Sequence, residues 1–309
     1  MKPILQIEHL SITFTQYSRG ARRRELPVIR DLSLSLSPGE VTAVVGASGS
    51  GKSLLAHAIL GLLPYNSRRE GSILYKGQEL TPRRLEKLRG REISLVPQGV
   101  TYLDPLMKVG PQLTQGRRDT DTRHRAQEAL SRYGLGPGTE RLYPFQLSGG
   151  MARRVLMASA VMESPQLIIA DEPTPGLDAQ AAGRLLGHFR AQEGAAVLFI
   201  THDLELALTV AHRVAVFYAG ETIEEALASD FEAGSLRHPF TKALWDALPQ
   251  RGFRPIPGSQ PYPGEVGEGC PFLGQCPHPG ADCAQGPLPL RPFQGGAVRC
   301  LYPNKEVAP

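Results

Sequence analysis

One glycine-rich segment constrains the fold more than any other part of this 309-residue chain. It ends in lysine and serine and reads Gly46-Ala47-Ser48-Gly49-Ser50-Gly51-Lys52-Ser53. The segment fits G-x-x-x-x-G-K-[ST]; the apolar run Val41–Val45 precedes it, and helical apolar spacing follows it to Leu63. In a strand–loop–helix unit of this kind, main-chain N–H groups bind phosphate oxygens. We therefore predict that Lys52 reaches the β- and γ-phosphates of ATP and that Ser53 binds Mg²⁺.

A second segment places two carboxylates at the end of an apolar strand. Leu167-Ile168-Ile169-Ala170 is followed directly by Asp171 and Glu172. We predict that Asp171 holds Mg²⁺ through water and that Glu172 polarises the water that attacks the γ-phosphate. Two carboxylates at a strand end can also form an ordinary exposed turn, but the glycine loop elsewhere in the chain favours the catalytic interpretation.

Apolar segments of strand length alternate with segments of helical spacing along most of the chain. Leu32–Leu36 alternates as a half-buried strand does, whereas residues 104–163 are mostly helical in pattern. This alternation predicts an α/β domain with a largely parallel sheet. Proline and glycine become dense after Phe253, so we place a domain boundary near residue 250. The tail beyond it lacks the apolar content to build a core of its own.

The charge of the chain does not identify a binding partner. The formal net charge is +4, which is too small an excess to indicate nucleic acid. A basic cluster at Arg19, Arg22, Arg23 and Arg24 fits a solvated loop or a patch facing anionic lipid. No segment approaches the roughly 18 consecutive apolar residues of a membrane span. Glu8 and His9 interrupt the start where a signal peptide needs an apolar core, so we expect a cytosolic chain.

A third motif identifies the class. Leu147-Ser148-Gly149-Gly150-Met151 precedes Asp171 by about twenty residues, and together with the two preceding elements it resembles the signature of ABC ATPases. The resemblance implies that ATP lies between the glycine loop of one subunit and Ser148, Gly149 and Gly150 of another. A helix that begins at these residues can bind a γ-phosphate. One copy of each motif per chain implies that two chains pair head to tail.

The other motifs of that family are present in order. Gln98 resembles the glutamine that senses Mg²⁺ and contacts the membrane partner, and His202 resembles the histidine that contacts the γ-phosphate. Gly176-Leu177-Asp178 resembles the D-loop, although Pro175-Gly176 departs from the usual pair of small residues. The aromatic residue that stacks on adenine is Phe14 or Tyr17, and spacing favours Phe14.

Further residues resemble one subgroup, the ATPases of oligopeptide, dipeptide and nickel importers. Met151 replaces the more usual glutamine of the signature, Tyr143-Pro144-Phe145-Gln146 precedes it, and His238-Pro239-Phe240-Thr241 follows the ATPase core. The resemblance implies a P-loop ABC ATPase core at residues 1–250, with an antiparallel β subdomain and a helical subdomain at about 104–163. A small cysteine-containing extension follows at 251–309.

The resemblance also implies how such a chain works. It powers import of peptides, nickel or metal chelates from the cytoplasmic face of the membrane. Its partners are a second, non-identical ATPase subunit, two membrane permeases and an external substrate-binding protein, with no nucleic acid.

The chain has four cysteines, all in the last 40 residues: Cys270, Cys276, Cys283 and Cys300. Their spacing, C-x₅-C-x₆-C-x₁₆-C, is atypical for zinc, and from spacing alone an iron–sulfur cluster, zinc and free thiols remain open. The resemblance implies a [4Fe-4S] cluster, with zinc as the alternative, and a structural role in holding the tail.

Two other functions compete with transport. A soluble ABC protein acting on nucleic acid or ribosomes usually carries two cassettes or a long coiled-coil insertion, and this sequence shows neither. A binding module without hydrolysis would lack Glu172 or His202, and the chain has both. The sequence therefore favours a transport ATPase.

Overall fold

A computed structural model describes residues 2–18, 22–47, 49–174, 182–183, 187–188 and 194–303. The chain divides into two compact units. The first unit consists of Met1–Ser37, Val41–Leu80 and Thr201–Pro309. The second consists of Pro38–Glu40 and Thr81–Ile200.

The strands, in chain order, are β1 (Leu5–Ser18), β2 (Arg22–Leu36), β3 (Val41–Gly46), β4 (Ser67–Tyr75), β5 (Gln78–Glu79), β6 (Ile93–Val96), β7 (Leu167–Asp171), β8 (Ala196–Thr201), β9 (Arg213–Tyr218), β10 (Glu221–Leu227), β11 (Arg291–Phe293) and β12 (Gly296–Val298). The α-helices are α1 (Lys52–Leu60), α2 (Pro82–Leu88), α3 (Val109–Leu113), α4 (Thr120–Arg132), α5 (Gly149–Val161), α6 (Leu204–Val210), α7 (Ala228–Glu232) and α8 (Pro239–Asp246). Of the helix that the sequence predicts at about Ala179–Gln192, the structure describes only residues 182–183 and 187–188.

The first unit contains an antiparallel sheet in the order β2-β1-β4-β5. Its inward side chains come from alternating apolar positions, so Leu5, Ile7, Leu10 and Ile12 of β1 are at most 1% exposed. Two short apolar runs near the N-terminus, residues 5–7 and 10–14, belong to this one strand. Register shifts between Ile7 and Thr13 let this strand stay paired with β2 along its length.

Strand β3 leads into the glycine loop and pairs in parallel with β9. Its last residue must be glycine, because a Cβ on Gly46 would lie 2.2 Å from the carbonyl oxygen of Phe217 on β9. The loop closes at Gly51, whose φ of 97° is in the left-handed region that favours glycine. Contact with β9 thus requires glycine at the start of the loop, and the backbone conformation favours glycine at its end.

The hairpin β9–β10 was not identified from the sequence. Its turn consists of Ala219 and Gly220, with φ angles of 49° and 88°. Such turns match the right-handed twist of the paired strands. A Cβ on Gly220 would lie 2.5 Å from the carbonyl oxygen of Val28 on β2, so glycine is required there.

The C-terminal region adds to the sheet that contains β10. Strand β12 pairs antiparallel with β10, and β11 pairs with β12. Phe272 is almost fully buried and its ring contacts those of Tyr218 and Phe240. The composition of the tail had indicated that it could not form a core by itself. Part of it is held instead by strand pairing with β10 and by packing of Phe272 against Tyr218 and Phe240.

The second unit contains three adjacent parallel strands, β6, β7 and β8. Residues Leu167–Asp171 of β7 are all buried, as expected of a strand covered on both faces. The region predicted to be mostly helical, residues 104–163, contains α3, α4 and α5 with 3₁₀ turns and loops between them. Within the described residues, no helix is both long enough and apolar enough to cross a membrane.

Candidate functional site

The glycine loop of the first unit is closed around its lysine. Lys52 is 5% exposed, and its Nζ donates to the carbonyl oxygens of Gly46 at 2.8 Å and Ala47 at 2.6 Å. Ser50 Oγ lies 3.4 Å from the same nitrogen. Helix α1 begins at Lys52, immediately before Ser53, so the positive end of its dipole faces the loop. Ser48 lies outside the described residues, and Gly49 has a φ of 80°.

Asp171 and Glu172 end strand β7 in the second unit. Asp171 is 5% exposed, and the main-chain N–H of Glu172 donates to Ile200 O at 2.8 Å. Gln98, which follows β6, donates from Nε2 to Glu172 Oε2 at 3.0 Å. The structure thus brings together two side chains that are 74 positions apart in the sequence.

The signature residues of the second unit open helix α5. Ser148 is its N-cap, and Ser148 Oγ accepts a hydrogen bond from the N–H of Met151 at 3.2 Å. Ser148 and Gly149 are exposed at the N-terminus of a 13-residue helix. Exposed N–H groups at a helix N-terminus provide partial positive charge, and this arrangement can bind a phosphate.

The remaining candidates of the first unit lie on separate elements. His202 is exposed in the turn between β8 and α6, where Asp203 caps the helix by accepting from Leu206 N at 2.9 Å. Phe14 is partly buried on β1, opposite Leu26 of β2, whereas Tyr17 is 73% exposed near the hairpin tip. The D-loop candidates, residues 175–178, lie outside the described residues.

The structure adds one residue that the sequence did not single out. Arg153 of α5 donates from one terminal nitrogen to Glu172 O at 3.1 Å and from the other to Gln98 O at 3.2 Å. Burial lowers the pKa of Arg153, and the charge of Glu172 opposes that shift. The adjacent Arg154 instead bonds to Gly150 O and Gly134 O. The sequence alone contains no signal that separates these two arginines.

The four cysteines of the C-terminal region line one cavity, together with His238 and His278. Main-chain N–H groups two residues further along the chain donate to three of the sulfurs: Phe272 to Cys270, His278 to Cys276 and Tyr302 to Cys300. Burial is the main cause that raises the pKa of the Cys270 thiol to about 12; the other three thiols act in the same direction, and the N–H of Phe272 opposes them. A positively charged centre would reverse this preference for the neutral thiol.

The N–H groups at the cysteines bear on what the four sulfurs could bind. N–H groups aimed at sulfur are a common second shell of thiolate sites, so the donor chemistry fits a thiolate-bound group. Among the described residues, no group of three or more His, Cys, Asp or Glu side chains is arranged to hold a metal ion.

His238 presents a buried donor at the same cavity. Its Nδ1 accepts from the N–H of Phe240 at 3.0 Å, and burial lowers its pKa to about 3. The ring is therefore neutral near pH 7 and carries its proton on Nε2. Within the described part of the chain, the buried Nε2 has no hydrogen-bond partner.

Comparisons with known proteins agree with this geometry. The family described as "ABC transporter" matches residues 29–175, and the family described as "Oligopeptide/dipeptide transporter, C-terminal region" matches residues 223–283. The chain is 34% identical to the oligopeptide transport ATP-binding protein OppD of Salmonella typhimurium, over 98% of this chain and 95% of that protein. It is 35% identical to the dipeptide transport ATP-binding protein DppD of Bacillus subtilis, over 90% and 88% of the two chains.

Solved structures show the same architecture. A dimeric ATP-binding cassette in a post-hydrolysis state, bound to ADP and phosphate, has a TM-score of 0.62 and 26% identity. The match covers 72% of this chain and 98% of that one. The fold is a P-loop ABC ATPase with antiparallel and parallel sheets and helices. The chain therefore belongs to the ABC transporter family of ATPases, among the ATP-binding proteins of oligopeptide and dipeptide transporters.

Proposed function

We propose that this chain powers the import of peptides through a membrane transporter by binding and hydrolysing ATP with Mg²⁺. The observation that carries the proposal is the similarity to oligopeptide and dipeptide transport ATP-binding proteins over nearly the full chain. Both names specify peptides, which favours peptides over nickel or metal chelates as the cargo. The binding of cargo belongs to partner proteins, so this chain supplies the energy.

We assign the reaction steps to the residues described above. Phe14 stacks on adenine, residues 46–53 bind the phosphates, and Lys52 neutralises the β- and γ-phosphates. Ser53, Asp171 and Gln98 hold Mg²⁺, directly or through water. Glu172 accepts the proton of the attacking water while His202 contacts the γ-phosphate. The buried position of Asp171 and the hydrogen bond between Gln98 and Glu172 support these roles.

We further propose that the second side of the nucleotide comes from a partner ATPase. Ser148, Gly149 and Gly150 lie at the start of a helix, and Ser148 and Gly149 are exposed. A phosphate on another subunit can therefore reach their N–H groups. The resemblance that the signature carries favours a non-identical partner chain.

Exposed apolar side chains after Gln98 support a permease contact at the cytoplasmic face of the membrane. Tyr102 is 57% exposed, Leu106 87% and Met107 42%. Apolar groups of this size on a surface commonly mark an interaction site. We propose that this surface contacts the membrane part of the transporter, which consists of two permeases, and that an external binding protein delivers the peptide.

For the C-terminal region we propose a [4Fe-4S] cluster bound by Cys270, Cys276, Cys283 and Cys300. The shared cavity and the three N–H groups directed at sulfur support it, and the sequence spacing of the cysteines is atypical for zinc. When bound, the cluster links four segments of the tail. It belongs to the extension that we propose for residues 251–309, after an ATPase core at 1–250.

Glu172→Gln tests the proposed catalytic role. The amide keeps the shape of the side chain but cannot accept a proton, so we expect MgATP binding with turnover lowered about a hundredfold or more. Cells with this variant should lose uptake of labelled peptides and keep uptake of radioactive nickel. Exposed Glu86 on α2 provides a matched control, and Glu86→Gln should behave as wild type. Wild-type turnover in Glu172→Gln would remove Glu172 as the base.

A further inference from the structure

The guanidinium of Arg153 joins two segments that carry the proposed catalytic side chains. Its two terminal nitrogens donate to two different main-chain carbonyls, Glu172 O at 3.1 Å and Gln98 O at 3.2 Å. Arg153 itself is on α5, the helix that begins at the signature residue Gly149. One side chain therefore connects the signature helix, the end of β7 and the loop after β6.

The main chain of Glu172 needs such a contact. Its φ is 43°, in the left-handed region that residues other than glycine rarely adopt. A backbone in this region persists where the surrounding structure over-determines it, and such positions cluster at functional sites. Two hydrogen bonds flank this dihedral angle: Glu172 N donates to Ile200 O at 2.8 Å, and Glu172 O accepts from Arg153.

The side chains of Glu172 and Gln98 complete the arrangement. Gln98 Nε2 lies 3.0 Å from Glu172 Oε2, so the carboxylate and the amide are in contact with each other. Arg153 bonds to the carbonyls of the same two residues. A change in the position of α5 must therefore move both main-chain segments or break one of these bonds.

We propose that Arg153 is a positioning residue for ATP hydrolysis, which aims Glu172 and Gln98 and makes their positions depend on the signature helix. The inference rests on the proposed roles of these two residues and adds a physical link to them. A displacement of α5 by a phosphate bound at Ser148, Gly149 and Gly150 is the change that this link would transmit. Arg153 passes that change to the carboxylate that acts on water.

The chemistry of the side chain makes the proposal specific to arginine. The guanidinium is planar and its N–H donors have fixed directions. Its two terminal nitrogens can therefore each donate to a different carbonyl oxygen. Lysine carries one compact ammonium on a flexible stem and cannot hold the two carbonyls in that geometry. We therefore expect Arg153→Lys to recover only part of what Arg153→Met loses.

The first experiment measures turnover in the complete transporter. Arg153→Met should lower kcat on the order of tenfold to a hundredfold, because small displacements of catalytic groups have effects of this size. KM for ATP should change less than about threefold, because the variant removes no group proposed to contact nucleotide. Arg117 offers a matched control, since it binds Thr114 O and Glu163 in the same unit. Arg117→Met should leave kcat unchanged.

A second readout separates positioning from general stability. Amide hydrogen exchange in the full chain should rise in segments 96–100 and 171–174 of Arg153→Met and remain as in wild type in Arg117→Met. If Arg153→Met does not fold, Arg153→Lys decides by the same two measurements. A wild-type kcat in the folded Arg153 variant, or an equal loss in Arg117→Met, would overturn the proposal.

The test also separates this inference from the proposed function. Loss of turnover in Glu172→Gln together with wild-type turnover in Arg153→Met overturns the role of Arg153 alone. Wild-type turnover in Glu172→Gln overturns both. Loss in both variants, with exchange raised in the two named segments, supports both.

Discussion

At the residue scale, main-chain groups close to the cysteines in sequence set the surroundings of their thiols. The N–H of His278 donates to the sulfur of Cys276, and burial raises the pKa of the thiol. Cys270 and Cys283 are held together by a bond of 2.8 Å from Cys270 N to Cys283 O. Gly269 permits this approach, because a Cβ there would lie 2.3 Å from that same oxygen.

We expect Cys276→Ser to lose the iron of anaerobically purified protein, because serine replaces one of the four thiolate ligands. The wild-type protein should be brown and contain roughly four irons per chain. Iron analysis and visible absorption measure the outcome, and limited proteolysis should show a looser tail in the variant. Glu172→Gln is the control, since it should keep its iron while losing turnover. A colourless wild-type preparation with one equivalent of zinc would contradict the cluster.

At the scale of elements, strand β10 ties the C-terminal region to the rest of the first unit. Glu224 of this strand is fully buried and accepts hydrogen bonds from Arg237 N at 2.8 Å and His238 N at 2.7 Å. The guanidinium of Arg237 lies 3.3 Å from the same carboxylate and 2.9 Å from Asp230. Burial raises the pKa of Glu224, and the hydrogen bonds that it accepts oppose that shift.

A second buried arginine, near the C-terminal end of the tail, connects it to β2. Arg299, next to β12, donates to Asp31 Oδ2 at 3.1 Å and to Asp31 O at 2.8 Å. It also lies 3.7 Å from Glu221. Arginine suits such a position because one guanidinium can satisfy several carbonyl and carboxylate oxygens at once.

We predict that Glu224→Ala lowers the free energy of unfolding of this region by about 3–5 kcal/mol, because two buried N–H groups lose their acceptor and Arg237 keeps Asp230 but loses one of its two carboxylate partners. Trp245, the single tryptophan of the chain, lies on nearby α8 and reports the transition by fluorescence in urea. Glu70→Ala is the control. Glu70 forms an ion pair with Arg68 in which both side chains are more than half exposed, so its loss should lower the free energy of unfolding by about 1 kcal/mol or less. Equal shifts in the two variants would contradict the role given to Glu224.

At the scale of the whole molecule, the signature motif and the glycine loop each occur once in the chain. If the nucleotide needs both, and the signature comes from another subunit, a single chain cannot complete a site. We therefore predict that the purified chain hydrolyses ATP slowly and that adding its partner ATPase raises the rate. Steady-state assays with parallel light scattering measure activity and mass together. Full turnover from a strictly monomeric sample would contradict the shared site.

The sequence by itself determined the features that depend on neighbouring residues. The glycine loop, the carboxylates after β7 and the helix start at Ser148 are local, because backbone geometry and capping follow from a few consecutive residue types. The α/β class followed from the same kind of local periodicity, and the observed strands β3 and β7 lie within a residue of the predicted ones. The roles of the site residues remain predictions that these positions support.

Only the tertiary structure decided which distant residues meet. The contact of Arg153 with Glu172 and Gln98 spans separations of 19 and 55 residues, and that of Arg299 with Asp31 spans 268. No local pattern encodes such partners, since an arginine follows the same propensities whichever carbonyl it meets. The hairpin β9–β10 was missed for a related reason. Strand β10 contains several glutamates, so its sequence does not look like that of a buried strand. Its burial depends on distant partners, such as Arg237 for Glu224, and on pairing with β9 and β12. The local sequence thus set the chemistry of the site, and packing between distant segments set its geometry.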